Sequence, residues 1–294
     1  MTAQDDLSRT WYKNYAYAFD NRSTYSHMRL LAEMYNQIPF DHYKQAVYKT
    51  LDYLYEAQYA VGGWPQFYPL RGGYYDRITY NDDVMSGIMF ELKDIKDTAY
   101  PYEFLETEQR DEAVAAFELG IECILDSQIT IGTTLTAWCQ QHDEITLAPA
   151  QARAYEYPSI TPGESVKIVR LLMAIENPSQ EIIDSVTAAV TWMDSVKISG
   201  IRIQVTPLNP PVLDNGSYFY EDRWLVLDPA ALPIWPRFCS LDDGISPIFA
   251  NRDGTIIDEF NDLEFNRRVG YSWYGTWPKS LIEIDYPAWV AGLE

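Results

Sequence analysis

Leu54-Tyr-Glu-Ala-Gln-Tyr-Ala-Val-Gly62 returns 70 residues later as Ile124-Leu-Asp-Ser-Gln-Ile-Thr-Ile-Gly132. It returns again, 68 residues further on, as Trp192-Met-Asp-Ser-Val-Lys-Ile-Ser-Gly200. Each copy puts apolar residues first, an acid third, a small residue fourth and glycine last. Glycine suits a helix C-terminus because it takes the left-handed conformation without strain. Each copy therefore reads as the end of a helix.

The residues before each copy have helical periodicity. Val47, Leu51 and Leu54 recur at steps of four and three; Val114, Phe117, Ile121 and Ile124 do likewise, as do Ile183, Val186, Val190 and Met193. A second helix is predicted ahead of each, over Ser23–Asn36, Asp83–Ile95 and Glu164–Ile175. Asp20 with Ser23, Asn81 with Asp82, and Thr161 with Ser165 supply capping residues. Pro39, Pro101 and Pro178 punctuate the connections within the pairs. Three antiparallel pairs at a steady period predict a closed helical repeat. The three capped N-termini would share one end and bring their positive dipole ends there, a setting for an anionic ligand. The remaining stretch, Ile201–Glu294, is rich in proline, glycine, aromatic and β-branched residues and reads as loops and short strands. No linker composition divides it off, so one domain over residues 1–294 is expected.

The 294 residues carry 43 acidic and 22 basic side chains, a net charge of −21. That charge argues against nucleic acid, whose phosphates want a basic face. A polyanionic ligand would need a local arginine cluster and a bound cation to offset the repulsion. No apolar run is long enough to span a bilayer, so a membrane is not expected as a partner. Met1-Thr-Ala-Gln-Asp-Asp6 lacks the basic and apolar character of a signal segment. Cys123, Cys139 and Cys239 follow no disulfide or zinc spacing and read as small core residues.

Carboxylates gather ahead of two predicted helices, in Phe19-Asp20-Asn21 and Tyr80-Asn81-Asp82-Asp83. Asp20 and Asp82 stand 62 residues apart, close to the repeat, and are expected at corresponding positions. Either alone reads as a helix cap; two at one end of a helical ring read better as oxygen ligands for a hard cation such as calcium. Arg153, Arg237 and Arg252 could each grip a carboxylate through the guanidinium fork. His142 reads as structural, and no Ser-His-Asp order, phosphate loop or His-Glu zinc motif is present.

Long motifs then resemble polysaccharide lyase family 10. They are Gly62-Gly-Trp-Pro-Gln-Phe-Tyr-Pro-Leu-Arg-Gly-Gly73 with Ile78-Thr-Tyr-Asn-Asp82, and Gln140-Gln-His-Asp143 with Ala152-Arg-Ala-Tyr-Glu156 and Pro158-Ser159. Gly163-Glu-Ser165, Pro247-Ile-Phe249 and Arg252-Asp-Gly254 follow, then Gly270-Tyr-Ser-Trp-Tyr-Gly-Thr-Trp-Pro278 and Asp285-Tyr-Pro-Ala-Trp289. The resemblance runs from Phe19 to Trp289. It implies an all-α fold, an incomplete (α/α)3 toroid of three helical hairpins with a loop-rich C-terminal segment carrying short strands. It implies a pectate lyase that cleaves polygalacturonate by calcium-assisted β-elimination, a monomer acting outside the cell or in the periplasm. Its residues would be Asp20, Asp82 and Asp83 for calcium, Asn21, Arg237 and Arg252 for substrate, and Arg153 as the base. Against the family pattern the chain is N-terminally shortened, lacking an earlier Gly-Gly-Trp-Pro element, and the turn from Arg237 to Arg252 is slightly long.

An arginine base needs a cationic, partly dry pocket to favour its neutral form, because its free pKa is above about 12. Two other readings use the same residues. A glycoside hydrolase would recast Asp20 and Asp82 as an acid and base pair. A sugar-binding protein would hold oligogalacturonate without cutting it.

Overall fold

The computed structural model describes residues 17–293, so the N-terminal stretch Met1–Asp6 lies outside the described residues. The chain divides into two compact units, the described residues of Met1–Ser127 with Gln141–Ala148, and of Gln128–Gln140 with Pro149–Glu294.

The first unit holds two of the expected helical hairpins. Helix α1 (Tyr25–Gln37) packs on α2 (Asp41–Ala57), and α3 (Val84–Lys96) packs on α4 (Thr107–Asp126). Proline punctuation falls where expected, with Pro39 and Pro101 inside the two connections. Helix α3 is the spine of this unit: Val84, Met85, Ile88, Met89, Leu92 and Ile95 are all fully buried along it. Glu91, also buried on α3, is held by both carboxylate oxygens to Arg29 Nε of α1, at 3.0 and 3.1 Å, and accepts from Tyr102 Oη at 2.6 Å. A buried carboxylate is tolerable because it is paired in this way.

The second unit holds the third hairpin, α5 (Pro162–Met173) on α6 (Gln180–Ser195), with Pro178 between them. Its other half is a buried aromatic cluster of Tyr155, Phe238, Phe249, Phe260 and Trp273. All six expected helices are present, and the three given bounds begin within two residues of expectation, at Tyr25, Val84 and Pro162, but two local readings change. The three repeat glycines do not end helices. The helices stop at Ala57, Asp126 and Ser195, and Gly62, Gly132 and Gly200 lie in the turns beyond, all with positive φ. The predicted caps do not cap either; the α6 N-cap is Ser179, whose Oγ accepts from Ile182 N at 3.3 Å. Thr161 and Ser165 instead hydrogen-bond the Trp138 backbone.

The C-terminal segment is also more ordered than short strands. Ile201–Asp214 and Ser217–Leu227 form one long antiparallel hairpin. Its turn is Asn215-Gly216, both with positive φ (45° and 77°), the two-residue geometry whose twist matches paired strands. The register slips between Pro207 and Val212, where Pro207, Pro210 and Pro211 cannot donate to the ladder. The three cysteines are buried, as expected of core residues, and none forms a disulfide among the described residues.

Gly62 carries the sharpest local constraint. A Cβ there would stand 2.1 Å from Leu119 O of α4, and φ is +96°. Gly62→Ala should destabilise the protein by about 1–3 kcal/mol through steric overlap and backbone strain. A urea midpoint within error of the unsubstituted chain would show that this approach is not tight.

Candidate functional site

Two turns ahead of α1 and α3 share one backbone course. Phe19 and Tyr80 both have φ −92°; Asn21 and Asp82 are left-handed at φ 50° and 53°; Arg22 and Asp83 follow at 65° and 63°. The correspondence is therefore Asp20 with Asn81, Asn21 with Asp82 and Arg22 with Asp83. The expected match of Asp20 with Asp82 is out by one residue, because the repeat runs at 61 here. Asn and Asp enter the left-handed region at low cost; Arg does so only under surrounding constraint.

The turns lie against one another. Arg22 Nε meets Asp83 Oδ2 at 3.2 Å, and Tyr25 Oη donates to Asp83 O at 2.9 Å. Gln66 Nε2 donates to Asp20 Oδ2 at 3.0 Å, and Asn81 Nδ2 to Asp82 Oδ2 at 2.7 Å. The structure thus brings Asp20, Asn21, Asp82 and Asp83 into one neighbourhood and gives none of them a side-chain capping bond. Two buried acceptors beside them, Gln66 Oε1 and Asn81 Oδ1, lack a hydrogen-bond donor. Carboxylates together with orphaned amide oxygens are the donor chemistry of a hard cation. Among the described residues no three His, Cys, Asp or Glu side chains converge as a metal site. A cation here would need part of its oxygen shell from a ligand.

The second unit gathers the arginines. The turn around Arg153 closes on Glu156, with Glu156 N donating to Arg153 O at 2.8 Å and Ala152 N to Glu156 O at 3.1 Å. Glu156 is buried, and its carboxylate receives Arg153 N (3.0 Å), Nε (2.6 Å) and Nη2 (2.5 Å). Tyr271 Oη donates to the same carboxylate at 2.6 Å. The Arg153 side chain stays 47% exposed, so one edge of its fork is clamped and the rest reaches solvent. Its guanidinium lies over the rings of Tyr155 (5.1 Å) and Tyr271 (5.7 Å). Arg237 lies over the same Tyr271 ring at 5.0 Å and pairs with the mostly buried Glu164 at 2.6 Å. Arg252 is exposed. With the Asn215 amide turned so that its oxygen faces the guanidinium, all three Arg252 side-chain nitrogens lie 2.9–3.1 Å away. Arg153 and Arg237 are thus brought together on Tyr271, and Arg252 sits by the hairpin turn.

The electrostatics of Arg153 run opposite to expectation. The Glu156 hydrogen bonds, against the opposing effect of burial, raise it above an ordinary arginine. Burial pushes the Glu156 carboxyl up, but bonds from Arg153 and Tyr271 outweigh it and hold it below the usual carboxylate range. The surroundings favour the guanidinium, not its neutral form. Glu156, Glu164 and Tyr271 each fall inside a quoted motif yet carried no assigned role; the Arg-to-Glu spacing of three across a turn was the available signal. His142 is structural as expected: it is fully buried, its Nδ1 contacts Leu147 O at 2.8 Å, and burial pushes its pKa down to about 4.

A family model described as pectic acid lyase matches residues 1–282. Two solved structures are similar along most of the chain. One is a family 10 polysaccharide lyase from Cellvibrio cellulosa, 31% identical, with a TM-score of 0.80, covering 92% of this chain and 81% of that one. The other is an aspartate-to-alanine mutant of family 10 polysaccharide lyase from the same organism in complex with trigalacturonic acid, 30% identical, TM-score 0.80, covering 92% and 82%. Among curated proteins none matches the sequence.

The pairing of Arg237 predicts more than a surface role. Arg237→Ala strands Glu164 as a buried anion and should cost about 3–5 kcal/mol of stability, whereas exposed Arg252→Ala should leave stability within about 0.5 kcal/mol. Urea unfolding of both variants checks this; equal midpoints would show that Glu164 finds another partner.

Proposed function

This chain belongs to the pectic acid lyase family and is a lyase acting on polysaccharides; from that premise we propose that it cleaves polygalacturonic acid, demethylated pectin, by calcium-assisted anti β-elimination to unsaturated oligogalacturonides. The proposed enzyme is a monomer with one catalytic domain, an incomplete (α/α)3 toroid, acting outside the cell or in the periplasm. No described helix is long and apolar enough to cross a membrane. The observation that carries the reading is the half-exposed Arg153 fork, clamped by buried Glu156 beside Arg237 on the shared Tyr271 ring. Two forks presented from one ring suit a ligand bearing repeated carboxylates. The trigalacturonic acid held by the Cellvibrio cellulosa relative is such a ligand.

In the proposed reaction Asp20, Asp82 and Asp83 would hold calcium, with the orphaned oxygens of Asn81 and Gln66 close by. A cation there would supply positive charge to offset a uronate carboxylate, which would make the C5 proton easier to remove. Asn21, Arg237 and Arg252 bind the substrate. Arg153, once neutral, takes the C5 proton; the electron pair of the C5–H bond forms the C4–C5 double bond, and the C4–O4 bond breaks. Water protonates the departing oxygen. Because the Glu156 contact favours the charged form of Arg153, the neutral base is populated only as pH rises. Activity should therefore climb into the alkaline range, where a histidine base would level off near pH 7.

The first test is polygalacturonate with and without calcium, following the ultraviolet absorbance of the unsaturated product. Chelation should abolish the signal and added calcium restore it; full activity in excess chelator would refute the metal requirement. Asp82→Ala should weaken calcium and substrate binding together. Arg153→Ala should remove nearly all turnover while trigalacturonate still binds, since proton transfer belongs to the transition state. Arg153→Lys should not rescue it, because an ammonium lacks the planar fork. Substantial turnover in either variant would move the base to another residue.

A further inference from the structure

Glu156 is the most completely engaged carboxylate of the second unit. An ionised carboxylate offers about four lone-pair sites. All four are taken: Oε1 accepts from Arg153 Nη2 and Tyr271 Oη, and Oε2 from Arg153 Nε and Arg153 N. It has no lone pair left for a substrate proton, and it is 5% exposed. It therefore cannot itself be the base. What it can do is fix the guanidinium. Two parallel bonds to Nε and Nη2 hold the plane of the fork, and the backbone bond to Arg153 N fixes the start of the same side chain. Nη1 is left on the edge away from the carboxylate.

We propose that Glu156, braced by Tyr271, is the positioning residue for Arg153, aiming its free edge at the reacting carbon. This rests on the lyase reading above. Tyr271 serves twice, since its hydroxyl anchors Glu156 while its ring lies under both Arg153 and Arg237. That ring sets the spacing between the base and a carboxylate-binding arginine. The arrangement carries a built-in conflict. The anion that aims Arg153 also stabilises its charged form, which cannot accept a proton. The other groups facing Arg153 are Tyr155 and Tyr271, with Arg267 over the far ring of Tyr155 at 4.5 Å and Arg237 across Tyr271. Among the described residues Glu156 is the one carboxylate bonded to it.

Geometry and charge separate in two variants. Glu156→Gln keeps the size but removes the charge and turns an N–H toward an Arg153 donor. Its turnover should fall on the order of 100-fold through misplacement. Its rising pH limb should also move to lower pH by about one unit or more, because the anion that favours guanidinium is gone. Glu156→Asp keeps the charge but draws it back. Turnover should fall while the limb stays in place. In both variants KM should change little. Tyr271→Phe, which keeps the ring, should lose a smaller part of kcat with no movement of the limb. The assay is kcat and KM for polygalacturonate across pH with saturating calcium, each variant first checked for a native urea midpoint. If Glu156→Gln leaves the limb in place, or KM rises while kcat holds, Glu156 does not position the base. Should Glu156→Gln not fold, a displaced limb in Glu156→Asp overturns the proposal, and an unmoved limb with lowered kcat upholds it. An unsubstituted chain that forms no unsaturated product would overturn the lyase reading and this inference with it; an active chain with unmoved variants overturns only the inference.

Discussion

A carboxylate withdrawn from water must find a cation or give up its charge, and among the described residues two buried glutamates and one partly buried glutamate meet that demand in the same way. Glu91 takes Arg29, Glu156 takes Arg153 and Glu164 takes Arg237. Breaking such a pair costs far more than forming it gains, because the residual charge has nowhere to go. The pairs are therefore better understood as fixing geometry than as supplying net stability. In the first unit the consequence is mechanical: Arg29 of α1 is tied to α3, joining the two hairpins. In the second it is chemical: the two arginines that lie on Tyr271 are each held by a glutamate, which fixes the orientation of their guanidinium planes.

A second constraint is backbone strain in the paired turns. Four consecutive-type positions, Asn21, Arg22, Asp82 and Asp83, hold positive φ without glycine. Asn and Asp bear this at low cost, whereas Arg22 costs of order 1–3 kcal/mol unless its surroundings compensate. Here the two turns support one another through the Arg22–Asp83 contact and through Tyr25, which reaches the Asp83 carbonyl. Strain kept at two matched positions that also collect carboxylates and orphaned amide oxygens is what the proposed cation site rests on. A plain helix start would need neither the strain nor the acids, and the side chains do not cap. The bland reading of Asp20 and Asp82 as N-caps is thereby set aside on geometry.

The six helices were legible because their apolar periodicity is strong and proline sits in each connection. Their exact ends were not, because glycine was read as a helix terminator when its work is in the turn beyond; Gly62 is required by the approach of Leu119, a contact no local pattern announces. The long hairpin escaped for an opposing reason. Asn215-Gly216 is a strong turn signal, but Pro207, Pro210 and Pro211 make the preceding stretch look unlike a strand, and the irregular register accommodates them. The site residues were named through motif resemblance, and what spacing alone supplied was only that carboxylates stand ahead of two helices. What spacing could not give was the partner of each arginine. A glutamate three residues along a turn, or one on a helix 73 positions earlier, becomes a partner only through tertiary structure.

The partners change how a chain of net charge −21 could attract a polyanion. Arg153 and Arg237 are close to neutral as pairs, since Glu156 and Glu164 offset their charge at short range. Their contribution to holding a uronate is directional, through the fork, and falls off quickly with distance. Arg252 is different: its guanidinium faces the neutral amide of Asn215, so its charge is felt further out. Of the three second-unit arginines proposed to meet substrate, Arg252 is thus the one suited to attraction at a distance, and Arg153 and Arg237 are suited to discrimination at contact. Salt screens distant exposed charges far more than contacts within a few ångströms. Raising ionic strength should accordingly weaken capture by Arg252 before it disturbs recognition at Tyr271. On the proposed reading the overall acidity of the chain is compatible with an acidic substrate, because Arg153 and Arg237 would act through contacts whose net field is already cancelled.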